Sequence, residues 1–282
     1  MNSRISAFVV SVAALLGATT VVAQVNADGS RTDGGFAHFE LGLGSWASDF
    51  ETSVRLDSET LGQGTTVDLE KDLGLASRLN SVRVEGAYRF SRKHALTFGY
   101  SSWSRSADKV IERDIQWGGQ LFHVTGQVAS SFKDDLVKLS YRYSFVANPT
   151  FAAGLSIGVS TFWWRTTLEA QPNGSGGGPT EIQREAKDVT APVPVLGLFY
   201  DLAFSPRFHM RASGEYFDAT YSGEHGKLTD VLAGFDWYFA RNAGLGAAYS
   251  WTNLKFQGKP EEANLVIDYR QSGAYGYLRF VF

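Results

Sequence analysis

The chain has 282 residues, and its 26 Lys and Arg against 29 Asp and Glu leave a formal net charge of −3. Charge this close to neutral gives no electrostatic support for binding nucleic acid. The absence of cysteine excludes disulfides, thiol chemistry and a lipid-modified cysteine.

The N-terminus has the pattern of a secretory signal peptide. Arg4 precedes an uncharged apolar run over residues 5–16, and Val21-Val22-Ala23 fits the small-residue rule of a signal-peptidase site. The run is too short to favour a transmembrane anchor. We therefore expect a signal peptide over 1–23, a short periplasmic segment over 24–35, and one folded domain over 36–282.

Apolar and polar residues alternate with a period of two through most of the mature chain, as in strands with one apolar face. In residues 82–90, for example, Arg83, Glu85 and Arg89 alternate with valine and aromatic side chains. The predicted strand cores are 36–46, 79–90, 94–105, 134–146, 150–164, 193–203, 207–221, 227–240, 243–256 and 266–282. Their number predicts an all-β fold, a closed antiparallel transmembrane β-barrel of about ten strands, with eight or twelve as alternatives.

The connections between the predicted strands alternate in length. Four short turns each begin with a phenylalanine: Phe90, Phe145, Phe204 and Phe239. The longer connections are 47–78, 106–131, 171–190, 222–227 and 257–265, and the first of these could hide another strand near 65–69. Short turns at one rim and long loops at the other are typical of outer-membrane barrels. We expect Pro192 and Pro194 above the membrane rim, because proline disrupts a strand ladder.

The last strand has a feature of its own. Leu278, Phe280 and Phe282 share one face, and the chain ends on an aromatic residue. This arrangement resembles the sorting and insertion signal of Gram-negative outer-membrane β-barrels, although the glycine usual in that signal is one position out of register. The resemblance implies location in the cell outer membrane and an encounter with the barrel-assembly machinery during insertion.

The inward faces of the predicted strands carry charges of both signs. Six cations are predicted to point inward: Arg83, Arg89, Lys138, Arg142, Arg211 and Arg279. Six acids are predicted to point inward with them: Glu40, Glu85, Asp201, Glu215, Asp230 and Asp236. A ring of about ten strands is little wider than one that side chains can fill. The balance of signs therefore predicts a network of paired charges in the lumen rather than an ion-selective ring.

Motifs of enzymes and cofactor sites are missing from the sequence. It contains no HExxH, GxSxG or phosphate-loop pattern, so we expect no catalytic residues, no metal site and no cofactor. Asp114, His123 and Ser131 lie in or beside one long connection, and whether they converge stays open. Aromatic side chains at 162–164 are interpreted as part of a membrane-interface girdle.

Three stretches resemble a recurrent pattern of uncharacterised proteobacterial outer-membrane β-barrel proteins. They are Thr66-Val67-Asp68-Leu69-Glu70-Lys71-Asp72-Leu73-Gly74-Leu75, Arg113-Asp114-Ile115-Gln116-Trp117-Gly118 and Tyr141-Arg142-Tyr143-Ser144-Phe145. The resemblance spans roughly residues 36 to 165. It implies the fold and the location, and it carries no catalytic residues.

These patterns predict an integral outer-membrane barrel that is not an enzyme and has a structural role or binds or passes a small solute. Its expected partners are outer-membrane lipid and lipopolysaccharide, with a small solute possible and no nucleic acid. Two alternatives stay open. One is an outer-membrane hydrolase, a protease or a lipid-modifying enzyme, with its site in the extracellular loops. The other is an adhesin-like surface protein that binds through long loops.

Overall fold

The computed structural model describes residues 37–58, 62–117, 120–122, 127–170, 183–221, 223–258 and 264–282. The predicted signal peptide, His123 and the apex of the loop at 171–182 lie outside these ranges. All named elements are strands: β1 (Phe39–Leu56), β2 (Val67–Asp68), β3 (Arg78–Ser91), β4 (His94–Val110), β5 (Ile115–Trp117), β6 (Gln120–Phe122), β7 (Gln127–Ala147), β8 (Phe151–Ala170), β9 (Gln183–Ala203), β10 (Phe208–Tyr221), β11 (Glu224–Tyr238), β12 (Ala243–Gly258) and β13 (Leu265–Val281). In these ranges, no helix has the length and apolar character needed to cross a membrane.

Ten long strands form one antiparallel sheet that closes on itself. Each long strand pairs with its neighbour along the chain, and β13 returns to pair with β1. That closing ladder runs without a break from Glu40–Val281 to Leu56–Leu265. The prediction of a closed antiparallel barrel of about ten strands is confirmed.

The strands extend farther than predicted at the end of the barrel that carries the long loops. β1 ends at Leu56 rather than at residue 46, β7 begins at Gln127 rather than at 134, and β9 begins at Gln183 rather than at 193. The sequence interpretation ended these strands where polar residues such as Asp49 and Glu51 appear. Their inward neighbours Phe50 and Val54 are nevertheless buried. The wall of the barrel therefore continues toward the long loops, with a polar outer surface.

A short segment completes this wall between β3 and β4. Their ladder ends at Arg83–Ser101, and residues 67–77, which we call the wall segment, lie beside β1 above that point. The extra strand suspected near 65–69 is only β2, which pairs with β1 at Ser53 and Val54. The segment then turns through Gly74, whose φ of 73° favours glycine.

Apolar and charged contacts both fix the wall segment. The buried side chains are Val67, Leu69, Leu73 and Leu75. Arg105 of β4 pairs with Glu70, Lys109 donates to the Lys71 carbonyl at 2.5 Å, and Arg113 donates to Asp72 at 2.5 Å. The recurrent stretch at 66–75 thus has a structural role, since its apolar residues fill the wall and its acids dock onto β4 and the residues after it.

The outer surface of the barrel has two zones. Around the end with the short turns lies an apolar band of exposed side chains, which includes Leu43, Val82, Leu139, Ile157, Leu196, Phe235, Leu245 and Leu278. Toward the long loops, neighbouring strands carry outward ion pairs between register partners: Asp49–Arg78, Glu51–Arg270, Arg165–Asp188, Asp218–Lys227 and Lys255–Asp268. The wall is therefore taller than its apolar band.

The interior is layered in the same direction. Along β7 the inward side chains change from Val128, Phe132 and Leu136 at the long-loop end to Lys138 and Arg142 toward the short turns. The hairpin of β5 and β6 folds into the apolar layer, where Trp117 and Phe122 are buried. A charged layer thus lies at the short-turn end and a mainly apolar layer at the other, where Arg105, Asp134 and Gln271 are among the buried exceptions.

The aromatic cluster at 162–164 needs a correction. Trp163 is exposed, as expected for a girdle residue, but Phe162 and Trp164 are buried inside the barrel. The period of a strand places alternate residues on opposite faces. Only the middle residue of the three can therefore face outward.

Arg105→Met should destabilise the barrel by about 3–5 kcal/mol, because it leaves the Glu70 carboxylate buried without its cation. Urea unfolding of the refolded protein measures this change. The matched control is Arg165→Met, which removes an exposed pair with Asp188 and should cost less than about 1 kcal/mol. Equal losses in the two variants would contradict the role given to Arg105.

Candidate functional site

A chamber of about 120 Å³ occupies the short-turn half of the barrel. All twelve charged residues predicted to point into the lumen line it: Glu40, Arg83, Glu85, Arg89, Lys138, Arg142, Asp201, Arg211, Glu215, Asp230, Asp236 and Arg279. They come from seven strands, β1, β3, β7, β9, β10, β11 and β13, and meet because each lies on the inward row of its strand. The chamber contains six cations and six acids.

Glu85 is the centre of the first group of charges. Its carboxylate pairs with the guanidinium of Arg211, with Arg279 Nη2 at 3.2 Å and with Arg83 Nε at 3.4 Å. The hydroxyl of Tyr275 donates to Glu85 at 2.6 Å. One carboxylate therefore holds three arginines from different strands, which fixes the shape of the chamber.

Arg279 extends this group across the barrel. Its guanidinium lies 3.5 Å from both Glu40 and Asp236. The hydroxyl of Tyr277 donates to Asp236 at 2.6 Å. The charges on this side of the chamber are thus shared rather than paired one to one, as burial of several ions requires.

Lys138 forms the second group. Its ammonium lies 2.7 Å from Glu215 and 2.8 Å from Asp230. The hydroxyl of Thr252 donates to Asp230 at 2.6 Å, and that of Ser140 donates to Glu215 at 3.2 Å. Here one cation pairs with two carboxylates. The excess negative charge of this group offsets the excess positive charge of the arginines around Glu85.

Arg142 and Asp201 form a looser third pair. Their closest nitrogen and oxygen are 3.9 Å apart, and the guanidinium lies over the ring of Phe199 at 4.9 Å. The Arg142 side chain is 25% exposed, whereas that of Arg279 is 3% exposed. This separation is longer than those of the pairs around Glu85, Arg279 and Lys138.

The chamber extends toward the short-turn end. Its lining reaches His209 and Tyr238, which adjoin the turns at 204–207 and 239–242. At the opposite end, the guanidinium of Arg83 lies against the rings of Trp46 and Tyr275 at 4.6 and 4.8 Å. Beyond these rings lie buried apolar side chains such as Phe50, Phe132 and Phe162. Within the described residues, the lining of the chamber does not continue past them.

The alternation of residues could have identified more of the site. Tyr275 and Tyr277 lie on the same inward row as Arg279, and their hydroxyls bind two of the acids. Thr252 is likewise on an inward row. The sequence interpretation included only charged residues, so it missed these neutral donors.

The described histidines are spread over the barrel. His38 contacts the Arg89 carbonyl at 2.9 Å and His94 the Tyr141 hydroxyl at 2.5 Å, both near the short turns. His209 lines the chamber, and His225 lies on the outer surface, 3.0 Å from Asp218. Lys227, His225 and Tyr216 all bond to Asp218, which lowers its pKa to about 2. That carboxylate stays ionised at physiological pH.

The suspected loop cluster is not assembled in the part of the chain that the structure describes. His123 lies outside the described residues. Ser131 is on the outward row of β7, next to buried Ser130 and Phe132, and Asp114 directly precedes β5. Within the described ranges, no group of three His, Asp or Glu side chains is arranged to hold a metal ion.

Comparison with known proteins shows the fold. No family model and no curated protein matches the sequence. Among solved structures, the outer-membrane protease OmpT from Escherichia coli is similar, with a TM-score of 0.57 and 10% identity over 86% of this chain and 96% of that chain. At this identity the likeness shows only that the chain has the fold of a bacterial outer-membrane barrel.

Two further solved structures are more distant. The toluene transporter TodX of Pseudomonas putida has a TM-score of 0.35 and 10% identity, over 87% of this chain and 90% of that chain. The attachment invasion locus protein Ail of Yersinia pestis has a TM-score of 0.34 and 13% identity, over 87% and 99%.

Glu85→Gln should destabilise the barrel by about 3–5 kcal/mol, because three arginines lose the carboxylate that they share. The free energy of unfolding in guanidinium chloride measures the effect. Glu51→Gln is the control, since Glu51 is 78% exposed and pairs with Arg270 on the outer surface; its cost should stay below about 1 kcal/mol. An unchanged stability of Glu85→Gln would argue against a cooperative network.

Proposed function

We propose that this chain is an integral outer-membrane barrel without enzymatic activity, and that its charged chamber opens to the periplasm and binds a small charged solute. The division of the interior into a charged layer and a buried, mainly apolar layer carries this proposal. A passage needs a continuous polar path. A polar chamber that ends against apolar packing instead offers a binding site.

Three features support the membrane location. A spanning sheet must close on itself, because hydrocarbon offers no partner to backbone groups, and this sheet closes through β1 and β13. The outward apolar band lies around the short-turn end. The sequence patterns at both termini predict export, with the short turns and both ends of the barrel in the periplasm.

The apolar layer argues against passage of solutes. It contains buried side chains from β1, β7, β8, β9 and β13 together with Ile115, Trp117 and Phe122 of the inserted hairpin. The hairpin is anchored to the neighbouring loop, where Thr65 N donates to the Gln116 carbonyl at 2.9 Å. Within the described residues, this packing opposes the passage of a hydrated ion, because the polar groups that it encloses, such as Asp134 and Gln271, are bonded to Tyr269 and Ser48.

The location of the reactive side chains favours binding over catalysis. A catalytic site needs a nucleophile within hydrogen-bond reach of a base. In the described ranges, the Asp218–His225 pair points away from the barrel mouth, and Ser131 lies on the outer surface of β7. Around Glu85 and Lys138 the acids and cations of the chamber pair with one another, which leaves the looser Arg142–Asp201 pair to meet an incoming charge.

The chamber is suited to a small molecule with a charged group. Its volume of about 120 Å³ accommodates only a few heavy atoms. Arg142 and Asp201 are 3.9 Å apart and partly exposed, so each can turn to an incoming charge more easily than the buried ions around Glu85. We therefore place the entrance of the binding site at Arg142 and Asp201.

Trp117→Asp should open a leak. The indole is 1% exposed, and burying a carboxylate there expels the hairpin from the barrel. In planar bilayers we expect no steady conductance from the wild-type protein and measurable conductance from the variant. Gln116→Asp is the control, because residue 116 points to the opposite side of β5, and it should remain closed. Porin-like conductance of the wild type would refute the sealed interior.

Arg142→Gln should weaken binding of a small carboxylate from the periplasmic side by roughly tenfold, which corresponds to loss of one charge-assisted hydrogen bond of about 1.5 kcal/mol. Titration of the refolded barrel with acetate and glycine, followed by NMR shifts of labelled arginine side chains, measures the affinity. Arg165→Gln, which alters only an exposed pair, should bind as the wild type does. Absence of saturable binding to the wild type would remove the solute-binding proposal.

A further inference from the structure

The barrel wall has a lateral opening between β9 and β10. Their ladder runs from Ala203–His209 to Leu196–Tyr216 and ends there. β9 nevertheless continues to Gln183 against β8, and β10 continues to Tyr221 against β11. Among the described residues, no strand pairs with β9 on its β10 side beyond Leu196.

Two prolines explain where the ladder ends. Ala203 N donates to the Thr150 carbonyl on the β8 side. N–H directions alternate along a strand, so residues 202, 200, 198 and 196 present their N–H groups to β10. The next two residues in this series are Pro194 and Pro192, which have no N–H. The sequence therefore ends the ladder at Leu196.

The foot of the opening lies in the apolar band. Leu196 is 65% exposed and Tyr216 is 49% exposed on the outer surface. Asp218, which pairs with Lys227, is two residues above Tyr216 on β10, and Asp188, which pairs with Arg165, is eight residues above Leu196 on β9. In a membrane, the opening would extend from the acyl chains of the outer leaflet into the headgroup region.

The edges of the opening are apolar and open to the outside. Pro192 and Pro194 are exposed on the outer surface of β9. Phe217 of β10 points inward and packs, half-buried, against the apolar core. Ala219 shares the inward row of Phe217 and is still exposed. The inner side of β10 is thus accessible here, in contrast to the closed parts of the wall.

We propose that an acyl chain of an outer-leaflet lipid lies in this opening, along Pro194, Pro192 and the edge of Phe217, with its headgroup toward the Arg165–Asp188 pair. The opening is continuous with the band that faces lipid, so lipid is the neighbour that reaches it. A peptide strand would need N–H donors from β9, which the prolines withhold. This inference rests on the proposed location in a membrane.

The absence of native cysteine allows a single spin label to report on the site. We place the label at Ala219→Cys in vesicles of phosphatidylethanolamine and phosphatidylglycerol, and compare its collisions with oxygen and with an aqueous nickel chelate. We expect oxygen to dominate at 219. Val231→Cys, on the lipid face of β11, should behave in the same way, whereas Ser213→Cys, on the inner side of the closed part of β10, should not.

A second experiment closes the opening. Replacing both prolines, Pro192→Val with Pro194→Val, restores the N–H donors, so the ladder should extend and the oxygen accessibility at 219 should fall several-fold. The lipid site would be overturned if the label at 219 met only nickel, or if the proline replacements left its oxygen accessibility unchanged. Either result counts against the site as long as the label at Val231 still reports lipid. Loss of the lipid signal at Val231 as well would instead overturn the membrane location.

Discussion

The demand that the backbone donors and acceptors of the sheet find partners governs this structure. Closure through β1 and β13 satisfies most of the groups. Among the described strands, the β3–β4 ladder and the β9–β10 ladder both stop before their strands end. The wall is built differently at these two places. Between β3 and β4, the wall segment enters and docks on Arg105 and Lys109. Between β9 and β10, prolines remove the donors themselves, so the edge has fewer unpaired groups where no strand covers it.

The fold class could be predicted because its signals lie within single strands and the turns that adjoin them. Alternation, short phenylalanine-led turns and the count of segments were sufficient to predict a closed barrel, because each depends on residues adjacent in the chain. The same alternation placed all twelve charges around one chamber, since the inward row of a strand is set by period two. The pairing among those charges joins residues up to 239 positions apart, as for Glu40 and Arg279. No local pattern encodes such partners.

The sequence interpretation failed where local polarity and tertiary position disagree. Asp49 and Glu51 look like loop residues, yet they belong to β1, because the wall continues above its apolar band and has a polar outer surface there. Trp164 looks like an interface residue and is instead core, because the barrel carries a second, apolar layer inside. The height of the wall and the packing inside its long-loop end depend on the inserted hairpin of β5 and β6. The sequence does not show where this hairpin lies in the folded barrel.

The contrast between the two interior layers bears on why the charged layer exists. The long-loop half shows that this barrel can be filled with apolar side chains such as Phe132 and Phe162. Replacing buried ion networks by well-packed apolar residues is often neutral or stabilising, so stability alone does not account for twelve charges in the other half. The proposed binding of a charged solute would account for them. The loosest pair, Arg142 and Asp201, has the separation and exposure that exchange of partners requires.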